Sequence, residues 1–475
     1  MTKSSGHYTC SAGRIGLSIF LGFALFFSTP VLGSERDSGY RGIWFTLGQM
    51  TEWGDKYSGG LGTYTANHVP IAIYCPQVKK TFFVYGGAKD GKRHLLNMIS
   101  YYDHETGTVP RPVIVHDKGG VDDPHDNAAL AVDDQGYLWV FISGRARLRP
   151  GFIYRSRRPY SIDDFELVQE RELTYPQPWW FPGEGFFFLF TKYTRGRELY
   201  FSRSLDGREW LADVKFAGMG GHYQTSWRRQ HLLFTAFNYH PGGNVDRRTN
   251  LYYLQTDDMG QTWKSVQGDP IEIPLTDPVN NALVRHYESE HRLVYIHDID
   301  LDRNGYPVIL YITSASYKPG PEGHPRWWTV AHWNGKTWEF SEITPANHNY
   351  STGALYIEED GWRVIGPTQP GPQPIGAGGE IAVWLSRDEG HTWRMVRQLT
   401  ARSPFNHNYV RRPVNADQGF YAFWADGNPD AFSPSCLYFC TKDGEVVYRL
   451  PYHMRGEEER PEPLPLTHLD STGTE

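Results

Sequence analysis

Four short segments of this chain repeat one turn chemistry, and that repeat constrains the fold more than any other feature. Ser386-Arg387-Asp388-Glu389-Gly390-His391-Thr392-Trp393 fits the pattern S-x-D-x-G-x-T-W, the Asp-box hairpin turn. Thr256 through Trp263 fits it with Thr for Ser, Ser204 through Trp210 is one residue short, and Asn334-Gly335-Lys336-Thr337-Trp338 is a worn copy. In such a turn Asp bonds its own backbone, Gly takes a positive φ, and Trp packs back under the hairpin. Trp210, Trp263, Trp338 and Trp393 are 53, 75 and 55 residues apart, the rhythm of a sheet repeated as blades.

A second repeat sets the blade number. A polar ring or amide residue precedes an apolar strand at His68, His125, Tyr175, His222, Asn281, His348 and His407. Seven starts leave about 63 residues each, enough for four short strands and their turns. An all-β, seven-bladed β-propeller is expected over residues 34–453, and six or eight blades fit the same length. The segment Gly42-Ile43-Trp44-Phe45 precedes the first start and offers a closing strand to the last blade, which removes free sheet edges. Composition agrees: 49 Gly, 32 Pro and 15% aromatic residues suit many strands and tight turns and exclude long helices or a disordered chain. The Glu run and Pro461-Glu462-Pro463 read as a disordered tail over residues 454–475.

The N-terminus sets the compartment. Lys3 and Arg14 precede the apolar run from Ile15 to Phe27, followed by small residues to Gly33, the order of a secretory signal over residues 1–33. The run is short for a membrane span, so no span is expected after cleavage, and the protein is expected to be secreted or periplasmic. Cys75, Cys436 and Cys440 remain, an odd number that cannot form a complete disulfide framework. A net charge of -7 gives no basic field for nucleic acid. A monomer is expected.

Propeller geometry then selects a face. The start of a blade's first strand and the end of its second lie on the same side. By that pairing His125 goes with Arg145, Tyr175 with Lys192, and His222 with Tyr239 and His240. Imidazoles, phenols and cations without a close carboxylate pair do not suit glycoside hydrolysis, which usually uses two carboxyl groups. They suit β-elimination of a uronic acid: a cation neutralises the C6 carboxylate, a Tyr or His removes the C5 proton, and another group protonates O4. Tyr serves as base when neighbouring cations lower its pKa from about 10.

Each candidate also has a plain structural role. Blade-start histidines such as His68, His348 and His407 bond to backbone around a channel. Arg145, Arg147 and Arg149 alternate, which puts them on one side of a strand, either as an anion site or as a solvated face. Asp122, Asp123 and Asp126 suit a turn better than a structural calcium site. No metal and no cofactor is required. Expected catalytic residues are His125, Tyr175 and Tyr239. Expected substrate contacts are Arg145, Lys192, His222, His240, Arg147 and Trp179.

The segment Asp122 to Arg145, with the Asp boxes, resembles the BNR-repeat proteins, and within them the seven-bladed ulvan lyases and related rhamnosyl-glucuronate-cleaving propellers. The resemblance spans Tyr40 to Leu450. It implies that His125 matches the His opening the second blade, that Tyr175 matches the family's Tyr, and that Lys192 falls near its Arg. Arg145 stands where a second His is expected, a departure that keeps a cation but changes the base assignment. Related α-L-rhamnosidases use a single His near the N-terminal end, on the opposite face, where this chain has Gln49. Sialidases resemble one another in an Arg triad and an early Arg-Ile-Pro motif, absent near this mature N-terminus. Two classes of function remain. One is a carbohydrate-active enzyme, foremost a uronate-directed lyase and then a hydrolase. The other is a non-catalytic propeller binding acidic polysaccharide or oligosaccharide through Trp179, Trp180 and the Arg stretch.

Overall fold

Strands mostly of four to nine residues with largely buried side chains, joined by Gly- and Asp-rich turns, order themselves among the described residues into seven antiparallel sheets of four to seven strands, beside two short two-stranded pairs. The computed structural model describes residues 34–60, 62–89 and 92–464 together with Met1, with backbone alone at 43–46 and 58–60. The signal segment therefore lies outside the described residues, apart from Met1. Each sheet is one blade of a β-propeller. The innermost strands are Ala72–Cys75, Ala128–Val132, Thr174–Phe181, Gln224–Arg229, Leu293–Leu301, Ala354–Glu358 and Asn406–Arg411.

Aromatic residues fill the space between blades. Phe83 of blade 1 meets Phe423 of blade 7 at 5.0 Å, Trp139 of blade 2 meets Phe186 of blade 3 at 5.2 Å, and Phe216 of blade 3 stacks on Trp263 of blade 4 at 5.1 Å. All four Asp-box turns join the third strand of a blade to its fourth. At the clearest one, Asp388 accepts from Thr392 N at 2.9 Å and Oγ1 at 2.6 Å, while Gly390 adopts φ +86° and accepts from Trp393 Nε1 at 3.0 Å.

Three expectations need correction. Blade 5 starts at Leu293, not at Asn281, because Leu283–Arg285 folds back as an additional edge pairing on Thr249–Thr256 of blade 4. Residues 454–464 are not a loose tail: Met454 is buried, Glu458–Glu459 pairs with Val109–Pro110, and Glu462–Leu464 adds a fifth strand to blade 7. Residues 465–475 lie outside the described residues. The N-terminal strand Gly42–Thr46 does close the ring, but at the seam. Gly42 pairs with Gly87 of blade 1 and with Ser435, whose short strand Ser433–Ser435 joins the blade 1 sheet and leads into Leu437–Cys440 of blade 7, so the segment bridges the two blades and does not simply add a strand to the last.

Candidate active site

One mouth of the central channel carries a phenol from nearly every blade. Tyr64, Tyr175, Tyr223, Tyr295, Tyr350 and Tyr409 line a cleft of about 660 Å³, its open mouth included. Two of them sit at irregularities that turn the side chain toward the cleft. The pairing of Thr174–Phe181 shifts between Thr174 and Gln177, and Tyr175 takes φ 55°; that of Asn406–Arg411 shifts between Asn408 and Arg411, and Tyr409 takes φ 52°. A non-glycine residue with positive φ inside a strand is costly and clusters at functional sites.

Three guanidiniums enter among these rings. Arg145 donates from Nη1 to Tyr175 Oη at 3.1 Å and lies 5.8 Å above the Tyr193 ring. Arg197 lies 5.6 Å from the same ring, on the other side of the hairpin that pairs Tyr193 with Arg197. Arg248 donates to Tyr350 Oη at 2.7 Å and covers the rings of Tyr223, Tyr295 and Tyr350 at 4.8, 4.4 and 5.2 Å. Among the described residues neither Arg197 nor Arg248 has a carboxylate partner; phenols dominate their surroundings. Arg145 reaches Asp123 only at 4.0 Å. No Asp or Glu lines the cleft among the described residues. Guanidiniums placed in this way suit an anionic partner.

The phenols answer unequally to that charge. Burial pushes Tyr175 well above its ordinary value, and the neighbouring phenols Tyr223 and Tyr193 add to the rise. Burial also pushes Tyr223 up, but Arg197, Arg248 and Arg145 together with a hydrogen bond from Tyr175 bring it below 10.0. Tyr223 is the phenol that ionises most readily in the cleft.

A second proton path enters from blade 2. Asp123 accepts from the His125 backbone N–H at 3.0 Å and lies 2.5 Å from His125 Nδ1, while His125 Nε2 lies 3.0 Å from Tyr64 Oη. Burial lowers His125 below 6.5, with Arg145 adding and Asp123 opposing. A neutral imidazole held by a carboxylate behind it, and touching a phenol in front, can pass a proton either way. Asp123 and Asp126 are engaged by Arg149, and Asp126 also by Lys118 at 2.9 Å, so these carboxylates serve ion pairs. Among the described residues no group of three or more His, Cys, Asp or Glu could hold a metal ion.

The cleft thus unites His125, Tyr175 and Arg145 from the sequence reading. The other expected residues lie elsewhere. Lys192 points out of the cleft to Asp213 at 3.0 Å, because alternation along its strand turns Tyr193 toward Arg145 instead. His222 faces inward, with Nδ1 2.7 Å from Asn238 O, and leaves the cleft to Tyr223. His240 is buried behind Tyr223, edge-on to its ring at 4.8 Å. Tyr239 is half-buried outside the cleft lining. Trp179 is core, with Nε1 on Ser226 at 2.9 Å. Arg147 is exposed, since residues 145–149 form a tight turn closed by Arg145 N to Arg149 O at 2.8 Å and not a strand. Gln49 is not on the opposite face: it donates to the Oη of Tyr57, which lines this cleft, at 3.0 Å. Tyr223, Arg197, Arg248 and Tyr64 were missed. The recurrence of Tyr at His222-Tyr223, Asn349-Tyr350 and Asn408-Tyr409 was the available signal.

The protein is a β-propeller whose mouth is lined by arginines and tyrosines and, among the described residues, by no carboxylate. Residues 97–346 match the BNR repeat-containing family, and the chain belongs to it. It is 21% identical over 396 residues to an ulvan lyase of Pseudoalteromonas sp. (strain PLSV), covering 74% of this chain and 76% of that protein. An ulvan lyase of Nonlabens ulvanivorans is 23% identical over 291 residues, 50% of this chain and 60% of that protein. A solved structure of a PL25 ulvan lyase superposes with a TM-score of 0.68 at 16% identity, covering 86% of this chain and 96% of its own. The same figures hold for a structure of PL25 ulvan lyase bound to -[GlcA(1-4)Rha3S]-.

Proposed function

We propose that this protein is a secreted or periplasmic polysaccharide lyase that cleaves a uronic-acid-containing polysaccharide by β-elimination in this cleft, without a cofactor. The observation that carries the reading is the cleft's composition: three guanidiniums, seven phenols and the imidazoles of His125 and His297, with no carboxylate among the described residues that line it. A two-carboxylate hydrolase has no acid–base pair here. The ulvan lyases that this chain resembles, one of them bound to a glucuronate–sulfated rhamnose repeat, support an acidic polysaccharide as substrate.

The chemistry follows from the positions. Arg145 and Arg197 neutralise the C6 carboxylate, which makes the C5 proton more acidic. Tyr223, as phenolate, takes that proton; the C5–H electron pair becomes the C4=C5 double bond and the C4–O4 bond breaks. O4 receives its proton from Tyr64, resupplied through His125 with Asp123 behind it. Tyr175 holds Arg145 and Tyr223 in register. Tyr223 takes a base role that the sequence alone left open among His125, Tyr175 and Tyr239, and Arg197 stands in place of Lys192 as the second cation.

The test is ultraviolet absorbance during incubation with uronic-acid polysaccharides, ulvan among them. Absorbance from the new double bond is expected, falling by about 10²–10⁴-fold in Tyr223→Phe with the melting temperature unchanged. Reducing ends without absorbance would show hydrolysis, and binding without either would show a non-catalytic propeller.

A further inference from the structure

The N-terminal segment does more than close the ring. Gly42–Thr46 and Ser58–Gly60 pair as a hairpin stem, Trp44 opposite Gly60, and residues 47–57 between them cross the mouth of the cleft as a strap. The strap carries its own short hairpin, Met50 opposite Asp55, with Asp55 accepting from Gly48 N at 3.0 Å. Its underside supplies Tyr57, whose ring lies 5.1 Å from that of Tyr350.

The strap is fastened on the far side of the channel. Lys56, nearly buried, forms an ion pair with Asp246 in the loop after the second strand of blade 4. Its ammonium also lies 5.3 Å from the rings of both Tyr57 and Tyr317. Trp53 packs so closely on Gly320 that a Cβ there would fall 2.6 Å from its ring, and a Cβ on Gly54 would fall 3.1 Å from Asp430. The strap therefore spans from the seam of blades 1 and 7 to loops of blades 4 and 5. Beneath it, side chains from all seven blades wall the cleft.

A polysaccharide cut in its interior must enter such a site on one side and leave on the other, which needs a trough open at both ends. Here the cleft is walled by side chains of every blade, and the strap lays Tyr57 over one side of it. Resting on the lyase reading above, we infer that the strap makes the enzyme act on a chain terminus, releasing one short product per turnover, and that the Lys56–Asp246 pair is the specificity-determining latch.

The experiment follows absorbance, viscosity and product size together on a long uronate polymer, ulvan first. Terminal attack predicts a single small unsaturated product from the earliest time points, with viscosity falling only in proportion to absorbance. A ladder of sizes, with viscosity collapsing while absorbance is still small, would overturn the inference and leave the lyase reading intact. No absorbance at all would overturn both. Asp246→Ala, and separately Lys56→Met, should release the latch and add a ladder of internal products, with the rate on a short unsaturated-end oligosaccharide within twofold of the parent. Purely terminal products from both variants, with melting temperatures unchanged, would show that the latch does not set the cleavage mode.

Discussion

At the scale of single residues, the site turns on which phenol the arginines reach. Tyr175 and Tyr223 stand 5.4 Å apart, ring edge to ring face, yet burial governs the first and three guanidiniums the second. Removing one guanidinium should therefore act through the base. Arg197→Ala is expected to raise the Tyr223 pKa, moving the ascending limb of the pH profile of kcat/KM to higher pH by about 1–3 units. A fall in rate at every pH without that displacement would assign Arg197 to substrate binding alone. His125 and Arg145 were legible in the sequence because a charged or ring residue there ends one strand and begins another. Tyr223 was not, because His222 beside it looks more reactive. Only the fold shows that the His222 imidazole is spent on the Asn238 carbonyl.

At the scale of strands and turns, the Asp boxes were read correctly because their chemistry is mostly local: the bonds that shape the Asp388 turn lie within eight residues, and Trp393 Nε1 adds one to Ser341 Oγ of the neighbouring blade at 3.2 Å. Asp388→Ala is expected to lower stability by about 1–2 kcal/mol, seen as a lower denaturant midpoint, with lyase activity unchanged since the turn is remote from the cleft. What failed were several expectations that depended on register. Lys192 and His222 each lie one residue from the side chain that meets the cleft or its arginines, and in a strand one residue reverses the face. Arg145, Arg147 and Arg149 alternate as a strand would, but the chain turns there, so one enters the cleft, one reaches solvent and one pairs with Asp123 and Asp126. The extra edge strand of blade 4 displaced the expected start of blade 5 for the same reason: an apolar run does not say which neighbour it will join.

At the scale of the whole molecule, the channel is ringed by histidines kept neutral by burial. His222 is lowered to about 4, and His297, His348 and His407 to about 3, from 6.5. Their folded values lie below the unfolded one, so the unfolded chain binds protons first as pH falls. The stability they protect is complete above about pH 6.5 and drains away between there and pH 3–4, about 2 kcal/mol for each at pH 5. Asp426, raised to about 6 by burial, works in the opposite direction and offsets part of this. The melting temperature is expected to fall steeply from pH 7 to pH 5; a flat profile would mean that these imidazoles are already solvated. The ring seam adds a matter of timing. Gly42 finds Ser435 only after nearly the whole chain exists, and the strap continues directly from that strand. The ring therefore closes only once the last blade has been made, and the strand that closes it is the one that carries the strap.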